Sequence, residues 1–409
     1  MGRILSILLC LSFLLSAGCA TYAGKVRMAR AFFESGQYDA AAADLKLLVE
    51  QKDNDLLLYQ LELGMVYHAA GRYQEAIDSF KEAEKIAVLN DYTSLSQEVG
   101  SVLFNDSTKV YKGEDFEKIL INIYMAIDYT LLGKWESALV ECRRVNQKLD
   151  VMISQGKMPY QHNSFAKYLA ASLFESQSEF NDAFVDYRTV KKWMGNFAYL
   201  PGPLMRVADK LKAHQELEDY AKEYPHQKKY LLTKDQGEVI LFLEAGRAPY
   251  KVPNPSFNLI PLFARNGSSF EKGTLRDVKS QASADAEILF DIEGTAIFEL
   301  DEKIAMITAK KVGGMVAKRA MAYGVGQATK SKDAEFLSYL LLSMTDHADL
   351  RSWVTLPANL RVARLALPAG RHDLVLDMVA AGSQRQVKRW EKVRVKPGQI
   401  TFLNLRIFE

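Results

Sequence analysis

The stretch Leu63-Gly64-Met65-Val66-Tyr67-His68-Ala69-Ala70-Gly71-Arg72-Tyr73-Gln74-Glu75-Ala76-Ile77-Asp78-Ser79-Phe80-Lys81-Glu82-Ala83 decides the fold of the first half of the chain. Two helically periodic runs flank Gly71. Gly64 and Ala76 are small where two helices would cross closely, and Tyr67 and Phe80 are large where a neighbouring pair would pack. Gly71 marks a helix end, where a positive φ is needed and glycine adopts it without steric cost. A single helix pair cannot bury its own apolar face, so copies are required beside it.

The copies are present. Ala29, Phe32, Gly36, Tyr38, Ala41, Leu45 and Leu48 repeat the pattern 35 residues earlier. Ala126, Tyr129, Gly133, Trp135, Ala138, Cys142 and Val145 repeat it 62 residues later, and Ala171, Phe174, Ser178, Phe180, Ala183, Tyr187 and Val190 a further 45 residues on. The array is interrupted: the gap over 88–113 carries a short helical stretch at 94–103 and an Asn105-Asp106 turn. Helices between Pro203 and Tyr224 are expected to close it as a terminal cap. In its small, aromatic and turn positions the array resembles the tetratricopeptide repeat, a pair of antiparallel helices of about 34 residues.

Arg3 precedes an apolar run, Ile4 to Leu15. Its roughly 12 residues are too few to span a bilayer as a helix but suit a signal h-region. The run ends in Leu14-Leu15-Ser16-Ala17-Gly18-Cys19, which resembles the bacterial lipobox, although Ser16 stands where that pattern prefers Leu. The resemblance implies lipidation of Cys19; an ordinary secretory signal cut near Ala17 or Ala20 is the competing reading. Ala20, where Asp would signal inner-membrane retention, implies the outer membrane with the protein facing the periplasm. Several acyl chains suffice for stable anchoring. The expected division is a signal peptide over 1–18, a tether over 19–24, a solenoid over 25–225 and an α/β domain over 236–409. The tether reaches no more than roughly 20 Å, which would hold the first helices near the membrane. Cys10 lies in the signal, so Cys142 alone remains in the mature domain and no disulfide is expected.

Near Pro225 the pattern changes. Glu238 to Glu244 reads as a buried strand, Gly246 to Pro255 as a loop, and Phe257–Ala264 and Glu287–Leu300 as strands. Glu302 to Lys330 and Ala334 to Asp346 read as helices. From Leu360 onward, apolar alternation and turns at Pro368-Ala-Gly370, Ala381-Gly382 and Lys396-Pro-Gly398 predict an antiparallel meander, half of a β-sandwich. These last turns are similar to small envelope sandwich modules of the PEGA type. The expected fold is therefore α+β and multidomain, an all-α solenoid followed by a mixed α/β domain with a β-sandwich-like meander.

The 409 residues carry a net charge of +2, which argues against a nucleic-acid partner. The six histidines are scattered, with no His-x-x-x-His or Cys-x-x-Cys spacing, no P-loop and no Gly-x-Ser-x-Gly elbow. No catalytic residue, metal or cofactor is expected. Gly324-x-Gly326 within a helical run reads as close helix packing, and Cys142, at the place of Phe80, as a buried apolar side chain.

One segment is unusually polar. Tyr111-Lys-Gly-Glu114-Asp-Phe-Glu117 opens the third repeat, and its second helix carries Glu141-Cys142-Arg143-Arg144. Glu114 and Glu117 share a helical face, and two arginines on the partner helix could pair with them bidentately. They form an exposed ion-pair network of little energetic value, a polar patch in the groove that holds a partner or, as a third reading, paired carboxylates for acid/base chemistry. Arg351 and Trp353 are either an interface pair or, for Trp353, a core tryptophan.

The stretch around Tyr111, Gly113, Glu114 and Glu117, the run Val140 to Arg144, Ala245-Gly-Arg-Ala-Pro249 and Asp349 to Pro357 resemble a family of bacterial repeat lipoproteins without an assigned activity. The resemblance implies architecture and envelope location alone. The resulting expectation is a non-enzymatic, lipid-anchored periplasmic scaffold that binds an envelope protein or peptide in its groove. Its candidate contact residues are Tyr111, Glu114, Glu117, Glu141, Arg143, Arg144, Arg351 and Trp353. The alternatives are an envelope enzyme with its site at the solenoid/C-terminal junction, or an oligomeric secretion or pore accessory built on the 302–330 helix.

Overall fold

Five helix pairs turn on a residue held in the left-handed region. In the computed structural model, which describes residues 21–97, 109–155, 164–227, 231–343 and 346–409, a short α1 (Tyr22–Lys25) leads into α2 (Arg27–Glu34) and α3 (Tyr38–Gln51). The pairs α4 (Leu56–Ala69) with α5 (Tyr73–Gln97), α6 (Asp115–Leu131) with α7 (Trp135–Ser154), α8 (Ser164–Ser176) with α9 (Phe180–Met194), and α10 (Pro201–Lys210) with α11 (His214–Glu223) follow. The expected signal peptide, Cys19 and the Asn105-Asp106 turn lie outside the described residues.

The turn residues Gly36, Gly71, Gly133, Ser178 and Lys212 have φ of 75°, 75°, 71°, 63° and 57°. At each, the next residue's N–H reaches back to a carbonyl five positions earlier: Arg72 to Tyr67 at 2.9 Å, Ala213 to Ala208 at 3.0 Å. This 6→1 bond satisfies a carbonyl that the helix end leaves open. Lys212 lies 34 residues after Ser178, so the expected cap carries the same turn as the four earlier pairs. Gly64 is required by contact: a Cβ there would stand 2.4 Å from the ring of Phe80, which is itself fully buried. The second pair also departs from expectation, because α5 continues unbroken through residue 88 to Gln97.

Beyond the array, β1 (Gln236–Ala245), β2 (Tyr250–Asn254), β3 (Phe257–Ala264), β4 (Phe270–Asp277), β5 (Ser283–Asp285) and β6 (Glu287–Asp291) precede α12 (Ile292–Thr329) and α13 (Lys332–Ser343). The chain ends in β7 (Asn359–Pro368), β8 (Gly370–Ala380), β9 (Ser383–Val395) and β10 (Ile400–Ile407). One sheet has the order β10-β1-β7-β6, a second β5-β4-β8-β9, and β2-β3 form a separate hairpin. The four C-terminal strands are thus no single meander. β7 and β10 join the first sheet, β8 and β9 the second, and β10 runs parallel to β1. The turn periodicity was local and could not reveal that the chain changes sheet after β7 and again after β9. The predicted strand over Glu287–Leu300 is also corrected: it ends at Asp291, whose side chain accepts from Gly294 N–H at 3.0 Å and caps α12.

β1 shows how the halves join. Val239, Leu241, Leu243 and Ala245 pack toward the second sheet, whereas Ile240 and Phe242 belong to the helical core. β7 divides likewise, with Ala363, Leu365 and Leu367 on one side and Leu360 and Val362 on the other. The first sheet is therefore covered on both faces, by the second sheet and by the helical array. Its two Glu residues at even positions, Glu238 and Glu244, fall on the face toward the helices.

Candidate functional site

The polar residues at this junction form a buried seam, which can be followed from one end of the array to the other. At its centre His68, in the opening stretch of the sequence, lies between two carboxylates. Nδ1 meets Asp128 Oδ1 at 2.5 Å and Nε2 meets Glu244 Oε1 at 2.6 Å, with all three side chains fully buried. Tyr124 Oη donates to Glu244 at 3.2 Å, and Asn404 Nδ2 to the same carboxylate at 2.8 Å. Burial alone would lower the histidine pKa, but Glu244 and Asp128 outweigh it and carry it up to about 10. The imidazolium and Arg406 in turn hold Glu244 below its usual range against burial. Burial pushes Asp128 up to about 6 despite His68, because one cation serves two acids.

Toward the later repeats, Arg364 of β7 ties sheet to helices. Its Nε and Nη2 donate to Glu238, Nη2 also to Glu175 at 2.9 Å, and Nη1 to the hydroxyls of Tyr168 at 3.1 Å and Tyr187 at 3.0 Å. Arg206 of α10 bridges the same acids, at 2.6 Å to Glu175 and 2.9 Å to Glu238. Burial would raise Glu238, yet Arg364 and then Arg206 hold it at about 2. A cavity of about 390 Å³ opens here, lined by Glu175, Arg206 and Glu238 among others. Every carboxylate oxygen of both acids is engaged by these arginines, so neither is available as a general base.

The sequence-selected residues Tyr111, Glu114, Glu117, Arg351 and Trp353 meet at the other end. Trp353 is enclosed by Phe80 and Tyr124, at ring-centroid distances of 5.8 and 5.9 Å, and it resides in the core. Its backbone N–H donates to Glu117 Oε1 at 2.7 Å. Glu117 also accepts from Tyr111 Oη at 2.7 Å and from the Glu114 N–H at 2.9 Å, an acidic residue capping the start of α6. Burial, then the charge of Glu114, push Glu117 up to about 7. Glu114 itself pairs with Lys251 and, at 3.6 Å, with Lys303. Arg351 bonds Asp55 at 2.9 Å and Asp349 at 2.7 Å and covers the Tyr111 ring. Glu299 of α12 accepts from the N–H groups of Asp115 and Phe116 at 2.9 and 2.8 Å, placing an anion on the positive end of α6.

The expected pairing of Glu114 and Glu117 with Arg143 and Arg144 is not made. Arg144 bonds Glu84 at 3.2 Å and Glu141 at 3.3 Å, in a separate cluster with Asn122 and Lys148. Glu141 is buried, while Arg143 and Arg144 are exposed on α7. α6 and α7 are adjacent, but the acids stand at one end of α6 and the arginines beside α5. Cys142 is buried, and burial pushes its thiol up.

Residues that sequence reasoning passed over are His68, Asp128, Glu175, Glu238, Glu244, Arg364 and Arg406. A usable signal existed in part. On β1 the even positions read Glu238, Ile240, Phe242, Glu244, two acids on one face of a buried strand. On β10 they read Asn404 and Arg406. Polar residues recurring on an otherwise buried face require partners.

The α12–α13 hairpin leaves the seam. α12 is 38 residues, about 57 Å long. Met306, Val316 and Phe336 are 68%, 65% and 64% exposed, and Val312, Met321, Tyr323 and Leu337 are also exposed. Gly326 allows the close approach of α13, since a Cβ there would meet Glu335 Cβ at 2.7 Å, whereas Gly324 faces open space. Among the described residues no helix is long and apolar enough to cross a membrane, and no group of three or more His, Cys, Asp or Glu could hold a metal.

No protein-family model matches the sequence, and no curated protein matches it. Among solved structures, the chain is similar to MamA, with 14% identity, 49% of this chain and 95% of that one covered, and a TM-score of 0.34. It is similar to a tetratricopeptide repeat protein from Parabacteroides merdae, with 17% identity, coverage of 50% and 68%, and a TM-score of 0.34. A putative kinesin light chain of Podosopora anserina with nearly identical TPR-like repeats gives 14% identity, coverage of 50% and 96%, and a TM-score of 0.33. These likenesses extend over half the chain; the helix-pair repeat rests on the turns and contacts described above.

Proposed function

We propose that the chain is a lipid-anchored periplasmic scaffold, held at the outer membrane through Cys19, that binds protein partners in cell-envelope assembly or maintenance. One observation carries the reading: the array's inner face is filled by the chain's own sheet, while α12–α13 projects with apolar side chains in solvent. His68, Asp128, Glu175, Glu238, Glu244, Arg206 and Arg364 are paired with one another at the junction, which suits a fixed frame better than an enzyme site there. Tyr111, Glu114, Glu117, Arg351 and Trp353 join the halves and Glu141 is buried, so of the selected residues Arg143 and Arg144 remain as partner contacts, with the hairpin as the principal surface.

The test is photocrosslinking in native membranes from Val316 and Phe336 on the hairpin and from Arg143 on α7. A discrete adduct with another protein, lost on replacing Phe336 and Leu337 by Ser, is expected. Absence of adducts from all three positions would refute the scaffold reading. The exposed apolar hairpin also suits self-association, as in an oligomeric accessory. Sedimentation of the form lacking residues 1–19 separates the two, because an adaptor stays monomeric and an oligomer dissociates on Val316→Asp.

A further inference from the structure

A small cavity of about 120 Å³ lies where α2, the loop after β1 and the end of β10 meet, lined by Arg30, Phe33, Glu34, Arg247, Arg406 and Phe408 among others. Three guanidiniums and one carboxylate line it. Arg406 is 8% exposed, yet among the described residues no carboxylate is hydrogen-bonded to it. Its Nη1 donates to the carbonyls of Glu244 at 3.3 Å and Ile407 at 2.5 Å, and its Nη2 to those of Thr355 at 3.5 Å and Leu356 at 3.3 Å. Among the described residues its Nε is buried without a partner, and so is the Nε of Arg30, whose guanidinium lies over the Tyr22 ring. The acid whose charge acts on it, Glu244, already serves His68. Arg247 reaches Glu34 at 3.2 Å, and both Arg247 and Arg406 lie over the Phe408 ring, at 6.0 and 4.5 Å from its centroid.

We propose that this cavity is a phosphate site, in which one dianionic phosphate group is held between Arg30, Arg247 and Arg406. Two buried donors without acceptors face the cost of desolvation unless an acceptor arrives. The guanidinium fork matches the oxygens of a phosphate. The lining charges, three guanidiniums against one carboxylate, favour an anion. The cavity is several times the roughly 10–15 Å³ that one water requires. Burial draws Arg406 below the usual guanidinium range even with Glu244 nearby, and a bound anion would reverse this. The phosphate is free in solution or belongs to a lipid headgroup, since Arg30 stands 11 residues after Cys19.

The experiment is calorimetric titration of the full chain with inorganic phosphate, at an ionic strength held constant with chloride. Saturable one-to-one binding is expected, weakened at least tenfold in Arg30→Gln and in Arg247→Gln, and unchanged in Arg144→Ala. Both glutamine variants leave the carbonyl bonds of Arg406 in place, and an unchanged urea midpoint verifies their fold. Water-soluble dihexanoyl phosphatidic acid supplies the second arm. Binding at least tenfold tighter than inorganic phosphate assigns the site to a lipid headgroup, and equal or weaker binding assigns it to a free phosphate. No saturable heat beyond the chloride control, or binding that both glutamine variants retain, overturns the proposal.

Discussion

Replacing Arg364 by Ala tests whether the seam holds the halves together. The guanidinium is almost wholly buried and donates to Glu238, Glu175, Tyr168 and Tyr187. Its removal leaves two buried acids sharing Arg206. Breaking a buried pair by deleting one member costs about 3–5 kcal/mol, mostly from the charge left behind. The pKa of Glu238 gives a second estimate. It is held at about 2 against an ordinary 4.5, and a shift of between two and three units at about 1.36 kcal/mol each is worth about 3 kcal/mol. A depressed carboxylate pKa stabilises the fold fully above pH 4.5, and this contribution disappears as pH falls through 2. Urea unfolding of wild type and Arg364→Ala should therefore differ by about 3–5 kcal/mol at pH 7, with the gap narrowing by about 3 kcal/mol toward pH 2. The double variant Arg364→Leu, Glu238→Leu should recover most of the loss, since Glu175 and Arg206 remain a balanced pair. A gap under about 1 kcal/mol at pH 7, as for an exposed pair, or one that does not change between pH 5 and 2, would refute the reasoning.

The repeat packing predicts that Gly64→Ala costs about 1–3 kcal/mol by overpacking against Phe80. In a double-mutant cycle Phe80→Leu should relieve part of that cost, and strictly additive losses would show that Gly64 and Phe80 do not meet. Asp128 and Glu117 have pKa values raised to about 6 and about 7, so their stabilising effect is complete below about pH 4 and is lost as pH rises through those values. Unfolding free energy should fall from pH 5 to 8, and Asp128→Asn should remove the lower part of that fall; a wild-type curve rising over this range would contradict the assignment.

The helical half was legible because its signals are local. Gly36, Gly71 and Gly133 report a backbone angle, and Gly64 reports a contact with a residue 16 positions away. The fifth turn was hidden because Lys212 adopts the same φ without being glycine. Strand partners were less legible: β7 and β8 are separated by one residue yet enter different sheets, and that choice depends on packing far away in sequence. The seam was hidden for the same reason. His68 and Glu244 are 176 residues apart, and each is an isolated polar residue until the sheet docks. Glu114 and Glu117 were marked as unusual, but Lys251 and Trp353, which they meet, belong to the other half of the chain.

The seam also limits where a partner can bind. A peptide entering the inner face of the array would have to displace β1, β7 and β10, and thereby part Arg364 from Glu175, Tyr168 and Tyr187 and His68 from Glu244. The sheet competes as a tethered ligand, at an effective concentration that a free peptide in the millimolar range must match. Each exposed buried charge adds to the cost of undocking. Binding in the groove is therefore coupled to separation of the two halves, whereas binding at α12–α13 is not. If Arg364→Ala loosens the seam, it should increase proteolysis between residues 225 and 235 without changing crosslinks from Val316. Crosslinks lost in step with seam opening would place the partner in the groove instead.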